Sequence, residues 1–503
     1  MTAMIERAGG PALRIPAARL LIDGDWCDGG DGRRIAVYDP ATEERIAEVV
    51  AATASDVERA VQAAHRAFES AAWQKMRPLD RGRLLERLAL LIERDADDLA
   101  RLETLDNGKP FAVSRNVDMQ FAIDALRYYG GWSSKMAGEY IQLSPLGEDG
   151  GTYRAYTERR PVGVVGGITP WNFPMGQAIQ KMAPAIAFGC TVLLKPSEEA
   201  SLTTLRLGEL VLEAGFPEGT VNIVTGHGHE AGQALVDHPL VRKIAFTGST
   251  ATGQKILAAS VKTMKRVTLE LGGKSPTIVL ADADLNVAIP GAANAIFPNS
   301  GQICTAGSRL LVEAPIYDEV VEGVAEIARG LKLGSGFDPS VQLGPLVSSG
   351  QLDRVSALVG QGIEEGAEPL CGGARAADKG YFYQPTVLGG GRTGMRVAQQ
   401  EVFGPVVLAM PVLDAKEIRM LANDTAYGLG ASIWTQDINK AHLLAAQLDC
   451  GTVWINTHNV LDLAMPFGGT KLSGLGREFG TEVIHAYTEP RAVCMRLQAP
   501  GYG

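Results

Sequence analysis

Cys304 lies in a setting that suits a nucleophile. It falls in the segment PNSGQICTAGSR, between a predicted helix and the predicted strand SRLLVE, among small and polar residues that let a ligand approach the backbone. Cysteine is the best side-chain nucleophile near neutral pH, and a lowered pKa would improve it. The segment therefore indicates a catalytic thiol. A buried structural thiol, the commonest role of a free cysteine, is the alternative.

Glu270 and Asn172 could assist such a thiol. Glu270 ends the apolar run VTLE before Gly-Gly, at the edge of a predicted parallel sheet, where it could act as a general base through a water. Asn172 lies in ITPWNFP, whose prolines fix the backbone, and its amide could donate to a developing oxyanion. The alternatives are a solvated carboxylate at the end of a strand and an asparagine that bonds its own turn.

Four further segments have residues suited to a nucleotide. Lys195 and Glu198 in LLKPSE suit ribose hydroxyls, and an acid there would repel a 2′-phosphate, which favours NAD over NADP. The segment 248–253 follows a strand and opens a helix, whose N–H groups would favour a pyrophosphate. Glu401 and the glycine-rich segment MPFGGTKLSGLGRE suit close approach of a ligand. Solvated loops and ordinary turns are the alternatives.

Composition bounds the class of protein. A chain of 503 residues is expected to form two or more domains, and its net charge of −10 argues against a nucleic-acid binder. The six cysteines include no CxxC pair and no cluster with metal-ligand spacing, so we predict no metal site and a reducing compartment. No apolar run has the length of a signal peptide or a membrane span, which predicts a cytoplasmic protein without a membrane partner.

The elements that position these residues alternate between strand and helix. From Pro161 onward, runs such as PVGVVGGI and CTVLLKP alternate with predicted helices near 177–188, 201–214, 229–237 and 249–262. This pattern is typical of a doubly wound parallel sheet, which binds ligands at the carboxyl ends of its strands. A second alternation begins near Ser275, with predicted helices at 285–297 and 316–331. We therefore expect two tightly joined lobes with a cleft between them.

The remaining segments are simpler. Residues 1–20 are predicted to be a loose arm, Ser55 to cap a helix, and a further helix to continue from Arg81 to the stop at Asn107-Gly108. Cys190 and Cys494 lie in apolar runs and are predicted to fill core positions. The segments YIQLSP near 140 and AVCMRL near the end could form a small sheet that pairs with another subunit.

Together these segments resemble the aldehyde dehydrogenase superfamily over nearly the whole chain. The matching motifs occur in the family's order and spacing: TPWNFP at 169–174, KPSE at 195–198, FTGST at 246–250, LELGGKSP at 269–276, GQICTAGSR at 301–309, EVFGPV at 401–406 and PFGGTKLSGLGRE at 466–478. Agreement of all seven by chance is not credible.

The resemblance implies an α/β fold of two doubly wound parallel lobes with a small oligomerisation sheet. By this comparison residues 20–137 and 160–271 form an NAD-binding domain, residues 272–465 a catalytic domain, and residues 138–159 and 485–498 the oligomerisation strands. Members assemble as dimers or as dimers of dimers, so a homo-oligomer is expected.

The resemblance also implies the chemistry. Cys304 would attack the aldehyde to give a thiohemiacetal, hydride would leave for C4 of the nicotinamide, and Glu270 would activate the water that hydrolyses the thioester. Asn172 and the Cys304 backbone N–H match the oxyanion hole, and Lys181 with Glu478 matches a proton relay. The implied contacts of NAD are Ile168, Thr169, Pro170, Trp171, Lys195, Ser197, Glu198, Gly228, Phe246, Thr247, Gly248, Ser249, Gly253, Leu271, Gly272, Glu401 and Phe403.

The substrate is less sharply indicated. The implied tunnel positions are Phe173, Gly176, Gln177, Gln180, Phe297, Ile303, Thr305, His458, Leu461 and Phe467. They include no cation for an acidic semialdehyde and no aromatic cage for a quaternary ammonium, and the segment GTVWINTHNVLDLAMPFGG is most similar to bacterial phenylacetaldehyde dehydrogenases. An aromatic or bulky apolar aldehyde is therefore predicted.

Several alternatives stay open. Pro298 and Gln180 depart from residues common in the family, and both positions touch the tunnel. The same chemistry on betaine aldehyde or an aminoaldehyde is one alternative, and a non-catalytic structural relative is another. An acylating enzyme that uses coenzyme A is disfavoured, because such members usually lack the base that Glu270 matches.

Overall fold

Residues 3–5, 13–16, 18–144 and 152–497 are described by the computed structural model of the chain. In chain order its strands are β1 (Ala3–Ile5), β2 (Leu13–Ile15), β3 (Leu20–Ile22), β4 (Asp25–Cys27), β5 (Arg34–Asp39), β6 (Glu44–Val50), β7 (Tyr140–Ile141), β8 (Thr152–Pro161), β9 (Val164–Ile168), β10 (Thr191–Lys195), β11 (Val221–Ile223), β12 (Val241–Thr247), β13 (Arg266–Glu270), β14 (Pro276–Val279), β15 (Arg309–Glu313), β16 (Glu368–Cys371), β17 (Thr386–Gly389), β18 (Val406–Val412), β19 (Tyr427–Gly428), β20 (Gly430–Trp434), β21 (Thr452–Ile455), β22 (Thr470–Lys471), β23 (Gly474–Leu475) and β24 (Thr488–Leu497).

The α-helices of the described residues follow the same order. They are α1 (Ala54–Glu69), α2 (Ala71–Gln74), α3 (Pro78–Arg94), α4 (Ala96–Asn107), α5 (Phe111–Val113), α6 (Met119–Trp132), α7 (Pro174–Ala187), α8 (Leu202–Glu213), α9 (Gln233–Asp237), α10 (Thr250–Ser260), α11 (Leu285–Ile296), α12 (Tyr317–Gly330), α13 (Ser349–Glu364), α14 (Arg396–Gln399), α15 (Ala415–Asn423), α16 (Ile438–Ala445) and α17 (Glu482–Tyr487). None of them is both long and apolar enough to cross a membrane.

An eight-stranded sheet in the order β23-β13-β12-β9-β10-β11-β3-β4 carries half of the candidate site. Its five central strands, β13 to β11 in that order, are parallel, as the alternation after Pro161 predicts. Every residue of β9 and β10 is buried, which fits a parallel sheet covered by helices on both faces. Because Ile168, Lys195, Thr247 and Glu270 end neighbouring parallel strands, they share one edge of the sheet.

A seven-stranded sheet in the order β16-β17-β18-β15-β14-β20-β21 forms the second half. Its strands are parallel except for the edge strand β16, so the alternation predicted from Ser275 is confirmed. The two sheets are joined by β23, which leaves the second half and pairs antiparallel with β13, placing Gly474 opposite Glu270. The segment 466–478 thereby reaches the edge where Glu270 lies.

A third, three-stranded sheet has the order β24-β8-β7. Ten residue pairs join β24 to β8 in antiparallel register, from Thr488 opposite Pro161 to Leu497 opposite Thr152. The small sheet predicted from the segments near 140 and 490 is thus present, although residues 145–151 and 498 of the predicted strands lie outside the described part of the chain.

The first hundred residues correct three predictions. Residues 1–20 are not wholly a loose arm, because β1 and β2 pair antiparallel. Thr53, and not Ser55, caps α1: its side chain accepts from the N–H of Asp56 while Asp56 accepts from the N–H of Thr53. The helix predicted from Arg81 to Asn107 is two helices, α3 and α4, which are separated at Asp95.

Two further predictions differ from the structure. The predicted helix at 229–237 begins as a π-helical turn, Gly228–Gly232, and only its second half is α-helical. Cys494 is exposed and does not fill a core, because β24 is covered by a strand on one side only, whereas Cys190 is buried as predicted.

Candidate active site

The segment before Cys304 is a tight left-handed turn. The φ values of Asn299, Ser300 and Gly301 are 50°, 54° and 71°. This left-handed backbone conformation is strained for residues other than glycine. A Cβ on Gly301 would lie 1.9 Å from the carbonyl oxygen of Gly404. The Ser300 hydroxyl donates to the Gly344 carbonyl at 2.7 Å. Packing and hydrogen bonds therefore hold the turn that presents the thiol.

Asn172 is buried and lies against this turn. Its Nδ2 donates to the Gln302 carbonyl at 2.9 Å, while Nδ2 of Asn299 donates to the Asn172 carbonyl at 3.3 Å. A primary amide carries two N–H groups, so the bond to Gln302 leaves the second for a ligand oxygen. This side chain is therefore linked to the cysteine segment and is more than a turn asparagine.

Cys304 is partly exposed and borders a cavity. It packs against Phe467, Phe479 and Leu429. Burial raises the pKa of the Cys304 thiol to about 12, and the nearby Glu401 and Glu270 carboxyls add to this effect. The thiol is thus protonated at neutral pH until a positive charge or a base acts on it.

Glu270 is a buried acid whose two carboxyl oxygens have no hydrogen bond to the described residues. Burial raises its pKa well above the ordinary value, Glu478 raises it further, and Lys181 and Arg477 oppose the shift. A Cβ on Gly468 would lie 2.7 Å from Oε1 of Glu270, so only glycine leaves room there. Unpaired oxygens leave this carboxyl group free to exchange a proton with a water.

Lys181 and Glu478 form a buried ion pair beside Glu270. The Lys181 ammonium also donates to Oγ1 of Thr247 at 2.7 Å. Gln180, which precedes Lys181 on α7, donates through its amide to the other carboxylate oxygen of Glu478. The pair predicted from the sequence is therefore assembled, and Gln180 belongs to it as well as to the cavity wall.

A cavity of about 1170 Å³ connects most of the predicted residues. Those that line it are Pro170, Trp171, Asn172, Phe173, Gly176, Gln177, Gln180, Thr247, Gly248, Ser249, Glu270, Leu271, Gly272, Phe297, Ile303, Cys304, Thr305, Glu401, Phe403, His458, Leu461 and Phe467. Those outside its lining are Ile168, Thr169, Lys181, Lys195, Ser197, Glu198, Gly228, Phe246, Gly253 and Glu478.

Lys195 and Glu198 form a separate charged group beyond the cavity. The Lys195 ammonium, buried at the end of β10, donates to the Pro196 carbonyl at 2.9 Å and to Glu198 at 3.3 Å. Burial lowers the pKa of Lys195. Burial alone would raise the pKa of Glu198, but the charge of Lys195 and the N–H of Gly228 keep the pKa of Glu198 below its ordinary value. Glu198 is therefore an ionised acceptor, suited to hydroxyl groups.

Glu401 is the acid on the other side of Cys304. It accepts a hydrogen bond from the N–H of Gly273 at 2.9 Å. Burial raises the pKa of Glu401 to about 7, and this hydrogen bond together with the charges of Arg354 and Lys274 opposes the rise. Phe403 follows with a left-handed φ of 55°, and its ring meets that of Trp171 edge to face, with centroids 5.2 Å apart. The cavity wall between these groups is thus fixed.

Comparisons with known proteins show the family and the fold. The sequence model of the aldehyde dehydrogenase family matches residues 26–493. The chain belongs to the aldehyde dehydrogenase family. It is 48% identical to a phenylacetaldehyde dehydrogenase of Pseudomonas fluorescens, over 96% of both chains. The NAD+ complex of an aldehyde dehydrogenase from Bacillus cereus superposes with a TM-score of 0.93 at 45% identity, covering 95% of this chain and 96% of the other.

A further neighbour has a different named substrate. The NAD+ complex of a betaine aldehyde dehydrogenase from Staphylococcus aureus has a TM-score of 0.93 at 37% identity, and the match covers 97% of each chain. The predicted family and fold are confirmed by these matches. The chain is therefore an oxidoreductase of the aldehyde dehydrogenase family.

Sequence reasoning missed one wall of this aldehyde dehydrogenase cavity. Val117, Asp118, Phe121 and Asp124 line it from α6 and the π-helical turn Ser114–Asp118 before it, and Phe479 lines it from the opposite side. The segment of α6 has no motif of its own, and its apolar spacing is that of any helix. Only its packing against α7 shows that it borders the site.

Proposed function

We propose that this chain oxidises an aromatic or bulky apolar aldehyde to the carboxylic acid, with NAD as the hydride acceptor and Cys304 as the nucleophile. The supporting observation is a single cavity bordered by Cys304, Asn172 and Glu270, a thiol, an amide donor and an unpaired base. The balanced reaction converts aldehyde, water and NAD⁺ to carboxylic acid, NADH and a proton.

The residues present fit NAD. Glu198, held ionised by Lys195, would accept from ribose hydroxyls, and Ser249 caps the eleven-residue helix α10, whose N-terminus would receive a pyrophosphate. Glu401 and Phe403 would hold the second ribose. When bound, NAD supplies the hydride acceptor and a positive charge that opposes the effect of the two carboxylates on the pKa of Cys304.

The chain's own residues perform two additions. The Cys304 thiol gives its proton to a water in the cavity, and the sulfur bonds to the carbonyl carbon. The carbonyl oxygen, which becomes negative, accepts hydrogen bonds from the N–H groups of Asn172 and the Cys304 backbone. Loss of hydride leaves a thioester on Cys304. Glu270 then takes a proton from a water that adds to the thioester carbon, the carbon–sulfur bond breaks, and the acid departs. Lys181 and Glu478 would pass the proton from Glu270.

Support for an apolar substrate comes from the cavity wall. Phenylalanine side chains at 121, 173, 297, 467 and 479 line it together with Ile303 and Leu461. Apolar walls favour substrates that bury apolar area without polar partners. The relative from Pseudomonas fluorescens, which is named for phenylacetaldehyde, is consistent with the same class.

A cationic aldehyde is the second candidate, because the lining also contains Asp124, an exposed carboxylate near Phe121. A betaine aldehyde or an aminoaldehyde would place its positive charge there. The neighbour from Staphylococcus aureus is named for betaine aldehyde, which favours testing this class.

The test is the rate of NADH formation from purified protein with phenylacetaldehyde, betaine aldehyde and an aminoaldehyde, without coenzyme A. We expect the highest kcat/KM for phenylacetaldehyde and no NADH from the Cys304→Ala variant. A tenfold preference for betaine aldehyde, lost in Asp124→Asn, would instead establish the second candidate. Absence of NADH with every aldehyde would indicate a non-catalytic relative.

We propose the domain boundaries and assembly on the same basis. Apart from its edge strand β23, the eight-stranded sheet would belong to the NAD-binding domain, residues 20–137 and 160–271. The seven-stranded sheet would belong to the catalytic domain, residues 272–465. The strands within 138–159 and 485–498 would pair subunits in a homo-oligomer. Support comes from the exposure of β24 along most of its length.

A further inference from the structure

A buried charged cluster lies behind Asn172, outside the residues used in the proposed reaction. Glu103 and Lys109, from the end of α4 and the loop after it, meet Asp118 of the π-helical turn Ser114–Asp118. The Lys109 ammonium bonds to Glu103 at 3.1 Å and to Asp118, and all three side chains are at most 3% exposed. Buried ion pairs are expensive, so their placement calls for a role.

Glu103 supplies a cap that α7 lacks. The N-cap residue of α7 is Phe173, whose side chain forms no cap hydrogen bond, and the first helical residue, Pro174, has no N–H. Met175 therefore has the first free N–H of the helix, and it donates to Oε2 of Glu103 at 3.2 Å. A carboxylate at this end also faces the positive end of the helix dipole.

Two neighbours of Glu103 hold the residues on both sides of Asn172. Nδ2 of Asn107, the last residue of α4, donates to the Trp171 carbonyl at 2.7 Å. The Lys109 ammonium lies 4.4 Å from the centre of the Phe173 ring, a cation–π contact that burial strengthens. Contacts at 171, 173 and 175 thus come from one short segment, 103–109.

We propose that Glu103, Asn107 and Lys109 are positioning residues that fix the segment 171–175 and so aim the Asn172 amide at the oxygen of the reacting carbonyl. The proposal rests on the oxyanion role of Asn172 given above. Lys109 bonds to both Glu103 and Asp118, and these contacts hold the Glu103 carboxylate at the start of α7. The cluster acts on acyl chemistry through Asn172 and does not touch the Cys304 sulfur.

Two reactions of Cys304 separate positioning from general stability. Attack on p-nitrophenyl acetate passes through a tetrahedral oxyanion, as the sulfur–acyl bond forms and p-nitrophenolate leaves. Alkylation by iodoacetamide displaces iodide and forms no oxyanion. A loss of Asn172 alignment lowers only the first rate, whereas partial unfolding lowers both by the same factor.

The variants are Glu103→Gln and Asn107→Ala, with Asn172→Ala as the benchmark. The glutamine has one acceptor oxygen for two donors, Met175 N–H and Lys109, so one contact is lost. The alanine leaves the Trp171 carbonyl without its donor and keeps every charge of the cluster. Since a misplacement of about 1 Å can cost roughly 100-fold, we expect ester hydrolysis to fall about tenfold in each variant and alkylation to stay unchanged.

Asp97→Asn is the matched control. It breaks an exposed ion pair with Arg115 that links α4 to the same π-helical turn, and both rates should remain at the wild-type value. The proposal is overturned if Asn107→Ala or Glu103→Gln lowers the two rates equally, or lowers neither, while Asn172→Ala lowers ester hydrolysis. If Asn172→Ala itself has no effect on ester hydrolysis, the oxyanion assignment in the proposed function fails instead.

Discussion

At the scale of single residues, Glu270 is buried, and its two carboxyl oxygens have no hydrogen bond to the part of the chain that the structure describes. A residue that only stabilised the fold would satisfy those oxygens, because an unpaired buried polar group costs about 1–3 kcal/mol. The cost is understandable if a water and a proton must reach the carboxyl group during each turnover. Burial and Glu478 also raise its pKa above the ordinary value.

Glu270→Gln should slow hydrolysis while leaving the first addition intact. In rapid mixing with phenylacetaldehyde and NAD we expect a burst of NADH near one equivalent, followed by a steady rate lowered by roughly 10²–10⁴-fold. A base works only when it is deprotonated, so the wild-type kcat should fall as the pH decreases through the raised pKa of Glu270. This decrease of kcat at low pH should be absent in the variant. A variant without a burst would show that Glu270 acts before the thioester forms.

The sequence predicts this residue and its partners for a physical reason. Each of the three residues follows or ends a helix or strand with a recognisable sequence pattern. In the structure one cavity is lined by Cys304, Asn172 and Glu270. The cluster of Glu103, Lys109 and Asp118 could not be predicted in the same way. Its members are ordinary helix and loop residues. Only the packing of α4 against the π-helical turn Ser114–Asp118 brings them together, and one hydrogen bond links Glu103 to the start of α7.

At the scale of elements, the left-handed turn before Cys304 presents the thiol. Three successive residues with positive φ are costly for side chains other than glycine, by about 1–2 kcal/mol each. The third residue, Gly301, lies so close to the Gly404 carbonyl that a Cβ would not fit. The turn therefore depends on this glycine more than on Asn299 or Ser300.

Gly301→Ala should displace the turn. We expect a lower melting temperature, from about 1–2 kcal/mol of left-handed strain plus the clash with Gly404, and a changed rate of alkylation of Cys304 by iodoacetamide. Gly330→Ala is the matched control, because a Cβ at the end of α12 would meet no atom within 4 Å. Equal melting temperatures for the two variants would contradict the packing described for the turn.

The starts and ends of helices differ in how well the sequence predicts them. The starts of α7 and α10 were predictable to within a few residues, since Pro174 and Ser249 are specific signals. The break at Asp95 was not, because apolar residues keep their helical spacing across it while the chain bends between α3 and α4. Likewise Ser55 and Thr53 are both good caps, and the reciprocal hydrogen bonds with Asp56 select Thr53.

At the scale of the whole molecule, the three-stranded sheet leaves β24 exposed along most of its length. Directly paired residues of antiparallel strands share a face, so Tyr140, Tyr156 and Val493 form one row, and Met495 and Leu497 continue the same face of β24. Met495 is 43% exposed and Leu497 is 45% exposed. The same face also carries Arg154 opposite Met495 and Thr152 opposite Leu497. Exposed apolar side chains beside the open edge of β24 form a surface that another chain would cover.

Met495→Glu should therefore weaken self-association. In size-exclusion chromatography with light scattering, the wild-type protein is expected to have the mass of a dimer or a dimer of dimers. The variant should shift toward smaller species, because association would bury a carboxylate in the interface. Leu413→Glu is the control: Leu413 is 77% exposed just after β18, away from this sheet, and its substitution should leave the mass unchanged. A wild-type monomer, or an equal response of the two variants, would show that the sheet does not join subunits.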